Sequence, residues 1–441
     1  MINHNHQNEF CLDRKRFGCE SKLMLFELSF VGHYPGYIQH LVRFWCEQKL
    51  AGRLYIVVSP EFLQQHLDIL NITSSYSAKN VDFVAINQEE QAAIRARESM
   101  INIPFSLASR SFEWHLIDKY ASSLRATQCL IMSFDNYQLP MALRAKLPCP
   151  FSGIYFRPTF HYSDFDNYVP SWKERLQQWR KKFLLSRILT HPQFLTLFCL
   201  DPFVIKHIDK FHSHVRAVHL PEPVQTYNNF KPELESLRKS LGILRGRRVF
   251  LLFGVLKKYK GTHQLLESIS MLPSTLCQKL CLLLIGPLGS GFEDKTRIQT
   301  RITEISQSLP VQIITHDRFV PDREIQSYFQ IADVILTPYQ RHIAMSAILV
   351  RAAAAQKPVL SSDYGLMGEI IRYWKLGLTC DSTFPSKIAE GLTKFLLEEP
   401  MSFCDRRQME LFANQNSAEK FASVIFQNLG YQINDCTQKL L

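Results

Sequence analysis

The chain has 441 residues, 46% hydrophobic and 21% charged, and its 51 lysines and arginines outnumber its 40 aspartates and glutamates to give a formal net charge of +11. This length fits two domains, and the composition excludes disordered, fibrous and low-complexity proteins. Apolar runs such as residues 195–200 are too short to cross a bilayer, and the positive charge indicates an anionic partner: nucleic acid, nucleotide phosphate or a membrane surface.

The first twenty residues are polar and lack the apolar stretch of a secretory signal, so we interpret them as a polar tail. The eleven cysteines are an odd number and include no C-x-x-C pair. Cys277 and Cys281 lie on an apolar stretch, where we expect them to pack as small hydrophobic side chains. These features predict a reduced, cytoplasmic protein with no structural metal.

Short apolar runs alternate with amphipathic stretches through the first half of the chain. The runs predict strands at residues 23–31, 54–59, 81–86, 129–134 and 152–156. The stretches between them predict helices at residues 37–49, 60–70, 89–99 and 111–126. This alternation predicts a parallel α/β sheet in an N-terminal domain over residues 21–224.

Pro221, Pro223 and Pro232 interrupt the alternation and predict a linker, after which it starts again. The second half predicts strands at residues 248–253, 280–285, 311–315, 333–337 and 358–361, and only helices from there to the end. It predicts helices at residues 260–272, 322–331, 344–355 and 417–429. We therefore expect two tandem Rossmann-like, doubly wound α/β domains, residues 21–224 and 225–411, with ligands bound in the cleft beyond the carboxyl ends of their strands.

One predicted helix, residues 172–189, combines six lysines and arginines with a single glutamate and with several aromatic side chains. This composition is typical of a helix that lies on an anionic membrane surface. A solvated helix whose apolar side packs on its own domain explains it equally well. The residues predicted for membrane contact are Trp172, Arg175, Trp179, Arg180, Lys181, Lys182 and Phe183.

Two turns of the second half have the composition of phosphate-binding sites. Gly254, Lys260 and Gly261 follow a predicted strand and precede a helix, where glycine permits close backbone approach and lysine attracts an anion. An ordinary strand-to-helix turn has the same residues. Near Ser346, the amides of Ala347 and Ile348 begin an alanine-rich helix and can point at a pyrophosphate.

The order of these motifs resembles the donor domain of GT-B glycosyltransferases of the retaining family-4 type. The resemblance covers residues 249–381 well and includes the segment Ala332-Asp-Val-Ile-Leu-Thr-Pro338 and the glycine-rich turn before Glu369. It implies two domains facing each other across a cleft, a nucleotide-diphosphate sugar as donor, transfer with retention, and neither metal nor cofactor. It also implies that the last segment, residues 412–441, returns to the first domain.

The chain departs from the family pattern at three positions. Ile343 and Arg351 replace two glutamates of the family, and Val255 replaces an arginine. Our hypothesis is that Arg351 supplies the missing cation and binds diphosphate together with Lys260. The alternative is that Arg351 points to solvent and that donor binding has been lost.

The resemblance also places the nucleobase near Arg318 and Phe319. Four polar residues of the first domain follow predicted strands and are candidate catalytic groups: His33, Asp135, Arg157 and His161. The aromatic loop at residues 153–162 fits either acceptor stacking or plain core.

The sequence therefore predicts a metal-independent glycosyltransferase with a glycan, lipid-linked or small-molecule acceptor, cytoplasmic or peripheral at the inner membrane face. The main alternative is a catalytically lapsed GT-B protein that binds a glycan or a protein partner. A GT-B isomerase or phosphorylase is a weaker alternative, since no cofactor lysine is evident. Nucleic acid is not expected as a partner, because the basic residues match no nucleic-acid recognition module.

Overall fold

The computed structural model describes residues 21–99, 107–225, 231–289 and 291–433. These residues form two β-sheets, one of seven strands and one of six, in which every pair of neighbouring strands is parallel. The predicted fold class of two tandem doubly wound domains is thereby confirmed. The predicted polar tail at residues 1–20 lies outside the described residues.

The N-terminal sheet has the order β3-β2-β1-β4-β5-β6-β7, in which the strand order reverses between β1 and β4. Its strands are β1 (Lys22–Phe26), β2 (Arg53–Val58), β3 (Val81–Ala85), β4 (Gln128–Ile131), β5 (Phe151–Tyr155), β6 (Phe194–Cys199) and β7 (Arg216–His219). Its helices are α1 (Tyr34–Glu47), α2 (Pro60–Gln65), α3 (Leu67–Ser75), α4 (Gln88–Ser99), α5 (Leu107–Ser123), α6 (Gln138–Ala142), α7 (Trp172–Ile188) and α8 (Ile205–Ile208). Helices cover both faces, which is why β4 and β5 are buried along their whole length.

The C-terminal sheet has the order β10-β9-β8-β11-β12-β13 and the same reversal, between β8 and β11. Its strands are β8 (Arg248–Phe253), β9 (Leu280–Ile285), β10 (Gln312–His316), β11 (Val334–Thr337), β12 (Val359–Ser362) and β13 (Gly377–Cys380). The helices are α9 (Lys231–Ser240), α10 (Thr262–Ile269), α11 (Ser274–Cys277), α12 (Phe292–Ser308), α13 (Asp322–Ile331), α14 (Ala347–Ala354), α15 (Gly365–Trp374), α16 (Pro385–Leu397), α17 (Arg406–Gln415) and α18 (Ala418–Asn428). The two reversals place a ligand crevice at the carboxyl edge of each sheet.

The structure adds three strands that the sequence pattern did not predict: β6, β7 and β13. The expectation of helices alone after residue 361 is wrong, because β13 pairs in parallel with β12. The first strand is also shorter than predicted, since it ends at Phe26. The residues after it form the loop into α1, where Gly32 has a φ of +76°.

The last described helix, α18, packs against the N-terminal domain. The ring of Phe426 lies 5.9 Å from that of Phe44 and 5.4 Å from that of Trp45, both on α1. Val224 and Ser417 form an isolated parallel bridge. The two segments that connect the domains, the linker after β7 and the segment before α18, therefore lie side by side. A segment from the end of the chain thus completes the core of the first domain.

Cys277 and Cys281 are fully buried, as expected for small hydrophobic side chains. Among the residues that the structure describes, no helix is both long and apolar enough to span a bilayer.

Candidate active site

Two glycines shape the turn between β8 and α10. Gly254 has a φ of +106° and Gly261 a φ of +75°, both in the left-handed region that favours glycine. A Cβ on Gly261 would collide with the carbonyl oxygen of Pro338, at the end of β11. The turn therefore packs directly onto the neighbouring loop, which runs over residues 338–346 and leads into α14.

Lys260, on this turn, is a buried cation with 8% of its surface exposed. Its ammonium donates a hydrogen bond to the Tyr339 hydroxyl and lies 3.9 Å from the centre of that ring. Burial lowers the pKa of Lys260 to about 8. Among the described residues, no carboxylate lies within ion-pair distance of this ammonium, so an anionic ligand would relieve an unfavourable buried charge.

The start of α14 lies beside Lys260, because the Ser346 side chain is close to the same Tyr339 hydroxyl that accepts the hydrogen bond of Lys260. Ser346 has extended backbone, and its side chain caps no amide of the helix. The first amides of α14, those of Ala347 and Ile348, therefore have no intrahelical acceptor, and no side chain of the described residues accepts from them. A buried ammonium and a helix N-terminus meet here, as the sequence analysis expected of a phosphate site.

Arg351 does not join this group. Its guanidinium pairs with Asp322 at 2.5 Å and donates to the carbonyl oxygen of Gln225 at 3.4 Å, so it holds the start of α13 and the interdomain linker. It is 8% exposed, which also excludes the alternative that it points to solvent. Diphosphate binding by Arg351 would require its ion pair with Asp322 to break.

The other predicted donor residues are more exposed. Arg318 pairs with Glu324 at 2.8 Å and donates to the ring of His316, and Phe319 is 78% exposed in the same loop. Glu369 pairs with Arg372 at 2.7 Å within α15. A role for Glu369 in donor binding would therefore compete with a local ion pair.

On the N-terminal side, Asp135 and Arg157 line a cavity of about 350 Å³. Asp135 accepts hydrogen bonds from the backbone amides of Phe156 at 2.8 Å and Arg157 at 3.2 Å, which fixes the loop after β5. Burial raises the pKa of Asp135, and these amides oppose the rise. Ile343, from the second domain, also lines the cavity, which therefore spans the interdomain cleft.

His33 is an exposed residue of the loop after β1, and its ring contacts Phe156, the residue before Arg157. Its ring is 4.2 Å from that of Tyr34, 5.1 Å from that of Tyr37 and 4.8 Å from that of Phe156. Burial against these rings and the charge of Arg157 lower the pKa of His33 to about 4. An imidazole with this pKa is neutral at physiological pH and can accept a hydrogen bond.

His161 is separate from these residues. Its side chain is almost fully buried, with Nε2 3.2 Å from an oxygen of Asp201 and its ring 4.9 Å from that of His207. It lines a different hollow, together with Lys182 and His207. The structure therefore places His161 in the packing of the loop after β5 and not with Asp135.

His342 is a candidate that the sequence analysis did not identify. Its ring stacks on Tyr259 at 5.8 Å and lies 5.5 Å from that of Tyr339. Burial and the charge of Lys260 lower the pKa of His342 to about 4, with a smaller contribution from Arg157. Cations of both domains, Lys260 and Arg157, thus act on the charge of His342. In the sequence, the feature that could have identified His342 is its position directly before Ile343, where the chain departs from the family pattern.

Glu27 is a second unpredicted group, directly after β1. It is 4% exposed and accepts hydrogen bonds from the Ser133 hydroxyl and, at 2.8 Å, from the amide of Ser29. Burial raises the pKa of Glu27 to about 7, although both hydrogen bonds oppose the rise. The sequence analysis did not identify Glu27, because the first strand was predicted over residues 23–31 and Glu27 fell inside it instead of after its end.

Helix α7 divides its basic residues between two sides. Lys181 turns inward and donates to the carbonyl oxygen of Arg157 and the hydroxyl of Thr159, both at 2.9 Å, instead of facing a membrane. Arg180 lines the cleft cavity. The exposed hydrophobic side chains, with their exposed fractions, are Trp172 (71%), Leu176 (59%), Trp179 (66%) and Phe183 (53%). Arg175 and Lys182 are exposed as well.

The comparisons with known proteins agree with this arrangement. Residues 234–410 match the family model described as glycosyl transferases group 1. The chain is 26% identical over 204 residues to a lipopolysaccharide 1,2-N-acetylglucosaminetransferase of Salmonella typhimurium, covering 45% of this chain and 49% of that protein. It is 24% identical over 200 residues to a D-inositol 3-phosphate glycosyltransferase of Corynebacterium jeikeium, covering 44% and 47%. The match thus spans about half the length of these relatives.

Solved structures extend the likeness in fold to nearly the whole chain. Anabaena HepE in complex with UDP superposes with a TM-score of 0.62 at 11% identity, covering 93% of this chain and 99% of that one. Sucrose-phosphate synthase from Thermosynechococcus elongatus superposes with a TM-score of 0.64 at 12% identity, covering 92% and 98%. The chain therefore has the two-domain GT-B fold, and its residues 234–410 match the glycosyl transferases group 1 model.

Proposed function

We propose that this protein is a glycosyltransferase that moves a sugar from a nucleoside-diphosphate sugar to an acceptor held by the N-terminal domain. The observation that carries the proposal is Lys260, a buried ammonium with no carboxylate partner among the described residues, beside the start of α14. A diphosphate would pair with this charge and accept hydrogen bonds from the helix amides.

In this proposal the charge that develops on the departing diphosphate is neutralised by Lys260 and the amides of Ala347 and Ile348. Fixed cations and amides of this kind stabilise a leaving group without reorganisation, and no metal or cofactor is required in the step. We propose retention of the anomeric configuration, as the resemblance of the donor domain implies. His33, which contacts Phe156 of the N-terminal domain, and His342, which contacts Tyr339 of the C-terminal domain, are both neutral and are the proposed hydrogen-bond acceptors for substrate.

The proposal is tested by nucleotide binding, with UDP first because the HepE structure contains UDP. A nucleotide at 100 times its Kd stabilises the folded protein by ~2.7 kcal/mol, which a thermal-shift or calorimetric titration detects. We expect Lys260→Met to abolish this stabilisation, while the nucleotide-free variant is at least as stable as the wild type, because an unpaired buried charge is gone. Lys258→Met is the matched control, since Lys258 is exposed on the same turn.

Arg351→Ala separates the two views of the donor site. Because Arg351 is held by Asp322 and Gln225, we expect the variant to lose thermal stability but to keep UDP affinity. If Arg351→Ala loses as much UDP affinity as Lys260→Met, the result would instead support the hypothesis that Arg351 and Lys260 bind the diphosphate together. If UDP, GDP and ADP all fail to stabilise the wild type, the glycosyltransferase proposal is wrong.

A second candidate function is a lapsed GT-B protein that binds without transfer. It is favoured by the two positions at which the chain departs from the family pattern. Ile343 and Arg351 occupy the positions where the resemblance places two glutamates, and Arg351 is already paired with Asp322. Donor hydrolysis distinguishes the candidates: a protein that binds UDP-sugar but releases no UDP over hours, with any acceptor, is a binding module.

A further inference from the structure

The cleft cavity has an excess of positive charge. Arg157, Arg180 and Lys181 line it, against the single carboxylate of Asp135. Arg110 also borders it but is paired with Glu113 at 2.9 Å. Three cations against one carboxylate leave a formal charge of +2 in a hollow shared by both domains.

These three cations are not all satisfied by the protein. Within the described part of the chain, no ion pair within 4 Å involves the Arg157 or the Arg180 side chain, although the charge of Arg157 acts on Asp135 from farther away. Lys181 donates two hydrogen bonds, to the Arg157 carbonyl oxygen and the Thr159 hydroxyl, which leaves the third N–H of its ammonium. Asp135 is directed to the backbone of residues 156–157 and neutralises none of them at hydrogen-bonding distance.

The remaining walls of the cavity suit the carbon skeleton of a small molecule. Leu139, Pro140 and Leu184 supply an apolar surface, and the volume of about 350 Å³ is within the range of small-molecule sites. Ile343 links the cavity to the donor side, because it directly follows His342, which lies near Lys260. The cavity is thus bordered by cations of the N-terminal domain and by Ile343 of the loop before α14.

We propose, building on the function proposed above, that the acceptor carries a phosphate group and that Arg157, Arg180 and Lys181 bind this group in the cleft cavity. Asp135 is then a positioning residue, which holds the loop of Arg157 in place through its two backbone hydrogen bonds. The phosphate belongs either to a soluble sugar phosphate or to the headgroup of a lipid. Both present the same chemistry to these three cations.

The test is equilibrium binding of two probes by calorimetry, D-glucose 6-phosphate and dihexanoyl phosphatidic acid below its micelle concentration. Each is measured on the wild type and on Lys260→Met, so that phosphate binding at the donor site is not counted. Arg157→Gln and Arg180→Gln remove one cation each. Arg187→Gln is the matched control, because Arg187 is exposed on α7 and does not line the cavity.

We expect at least one probe to bind the wild type and Lys260→Met alike, and Arg157→Gln and Arg180→Gln each to weaken it about tenfold or more. Arg187→Gln should change the affinity by less than about twofold, since Arg187 does not line the cavity and acts on a ligand there only through solvent. The probe that binds identifies the source of the phosphate. Binding of neither probe, or equal weakening by Arg187→Gln, overturns the inference.

UDP binding, measured on the same variants, keeps this inference apart from the proposed function. If the wild type binds UDP but neither phosphate probe, the acceptor inference fails and the transferase proposal stands. If no nucleotide binds, the transferase proposal fails, and with it the designation of any bound phosphate as an acceptor.

Discussion

The carboxyl group of Glu27 lies where the first strand of the sheet meets the cleft, and its burial couples proton binding to folding. Its pKa of about 7 exceeds the ordinary value of 4.5. Between these two values the unfolded chain loses this proton while the folded chain keeps it, so the contribution of Glu27 to stability falls as pH rises. Above about pH 7 both states are ionised, and the penalty stays constant at roughly 3 kcal/mol.

We predict that Glu27→Gln removes this pH dependence. The free energy of unfolding, measured by urea titration between pH 5 and 8, should fall less steeply with pH in the variant than in the wild type. The difference between the two proteins should approach 3 kcal/mol at the alkaline end, reduced by any hydrogen bond that glutamine loses to Ser133 or Ser29. Glu235→Gln, at an exposed position, serves as control, and parallel pH profiles for wild type and Glu27→Gln would contradict the prediction.

At the level of elements, α7 presents four large apolar side chains to solvent at spacings of four, three and four residues. Trp172, Leu176, Trp179 and Phe183 therefore form one stripe, with the rings of Trp179 and Phe183 stacked at 5.9 Å. The exposed residues Arg175 and Lys182 lie on the same helix. We propose that this stripe binds an anionic membrane surface, because aromatic side chains insert at the headgroup level and cations attract its charge.

The prediction is that Trp172→Ala combined with Trp179→Ala reduces co-sedimentation with vesicles of phosphatidylcholine and phosphatidylserine by tenfold or more. Both side chains are mostly exposed, so the free energy of unfolding should stay within about 0.5 kcal/mol of the wild type. Wild-type binding should fall with salt. Phe319→Ala is the control, an exposed aromatic on the other domain. Equal sedimentation of the wild type with neutral and anionic vesicles would contradict the electrostatic part of the prediction.

The same helix shows how far the sequence specifies the site. Its start at Trp172 could be predicted, because Ser171 and Glu174 form a capping box, and so could its basic and aromatic composition. The inward turn of Lys181 could not, since it depends on where the loop after β5 places the acceptors of Arg157 and Thr159. Likewise β8 and β9 were predictable as long apolar runs, whereas β7 has only four residues, of which Arg216 is exposed.

The donor side follows the same rule. Gly254, Lys260 and Gly261 could be found from the sequence, because a glycine turn between a strand and a helix is a local pattern. The pairing of Arg351 with Asp322 and the burial of Glu27 depend on contacts between elements far apart in the chain. Local patterns thus predicted the residues of the proposed phosphate site, whereas the partners of Arg351 and Glu27 depend on tertiary packing.

At the scale of the whole molecule, the last helix joins the two halves of the chain. Phe426 of α18 is 1% exposed and packs on Phe44 and Trp45 of α1, so the core of the N-terminal domain is incomplete without residues from the end of the chain. Nearby, Tyr37 donates a hydrogen bond to the buried carboxyl of Glu222 at 2.8 Å, and the amide of Glu222 donates to Asn416 at 2.9 Å. The crossing is thus a packed and hydrogen-bonded joint of α1, the linker and the last helix.

We predict that Phe426→Ala destabilises the N-terminal domain by about 3–5 kcal/mol, the usual cost of removing a buried aromatic ring, and leaves the C-terminal sheet unchanged. Hydrogen exchange read strand by strand should show faster exchange in β1–β7 and unaltered exchange in β8–β13. Phe395→Ala is the matched variant, since Phe395 is fully buried in the core of the other domain and should give the reverse pattern. Equal acceleration of both sheets in Phe426→Ala would mean that the two domains unfold as one unit, and that α18 transmits stability across the cleft.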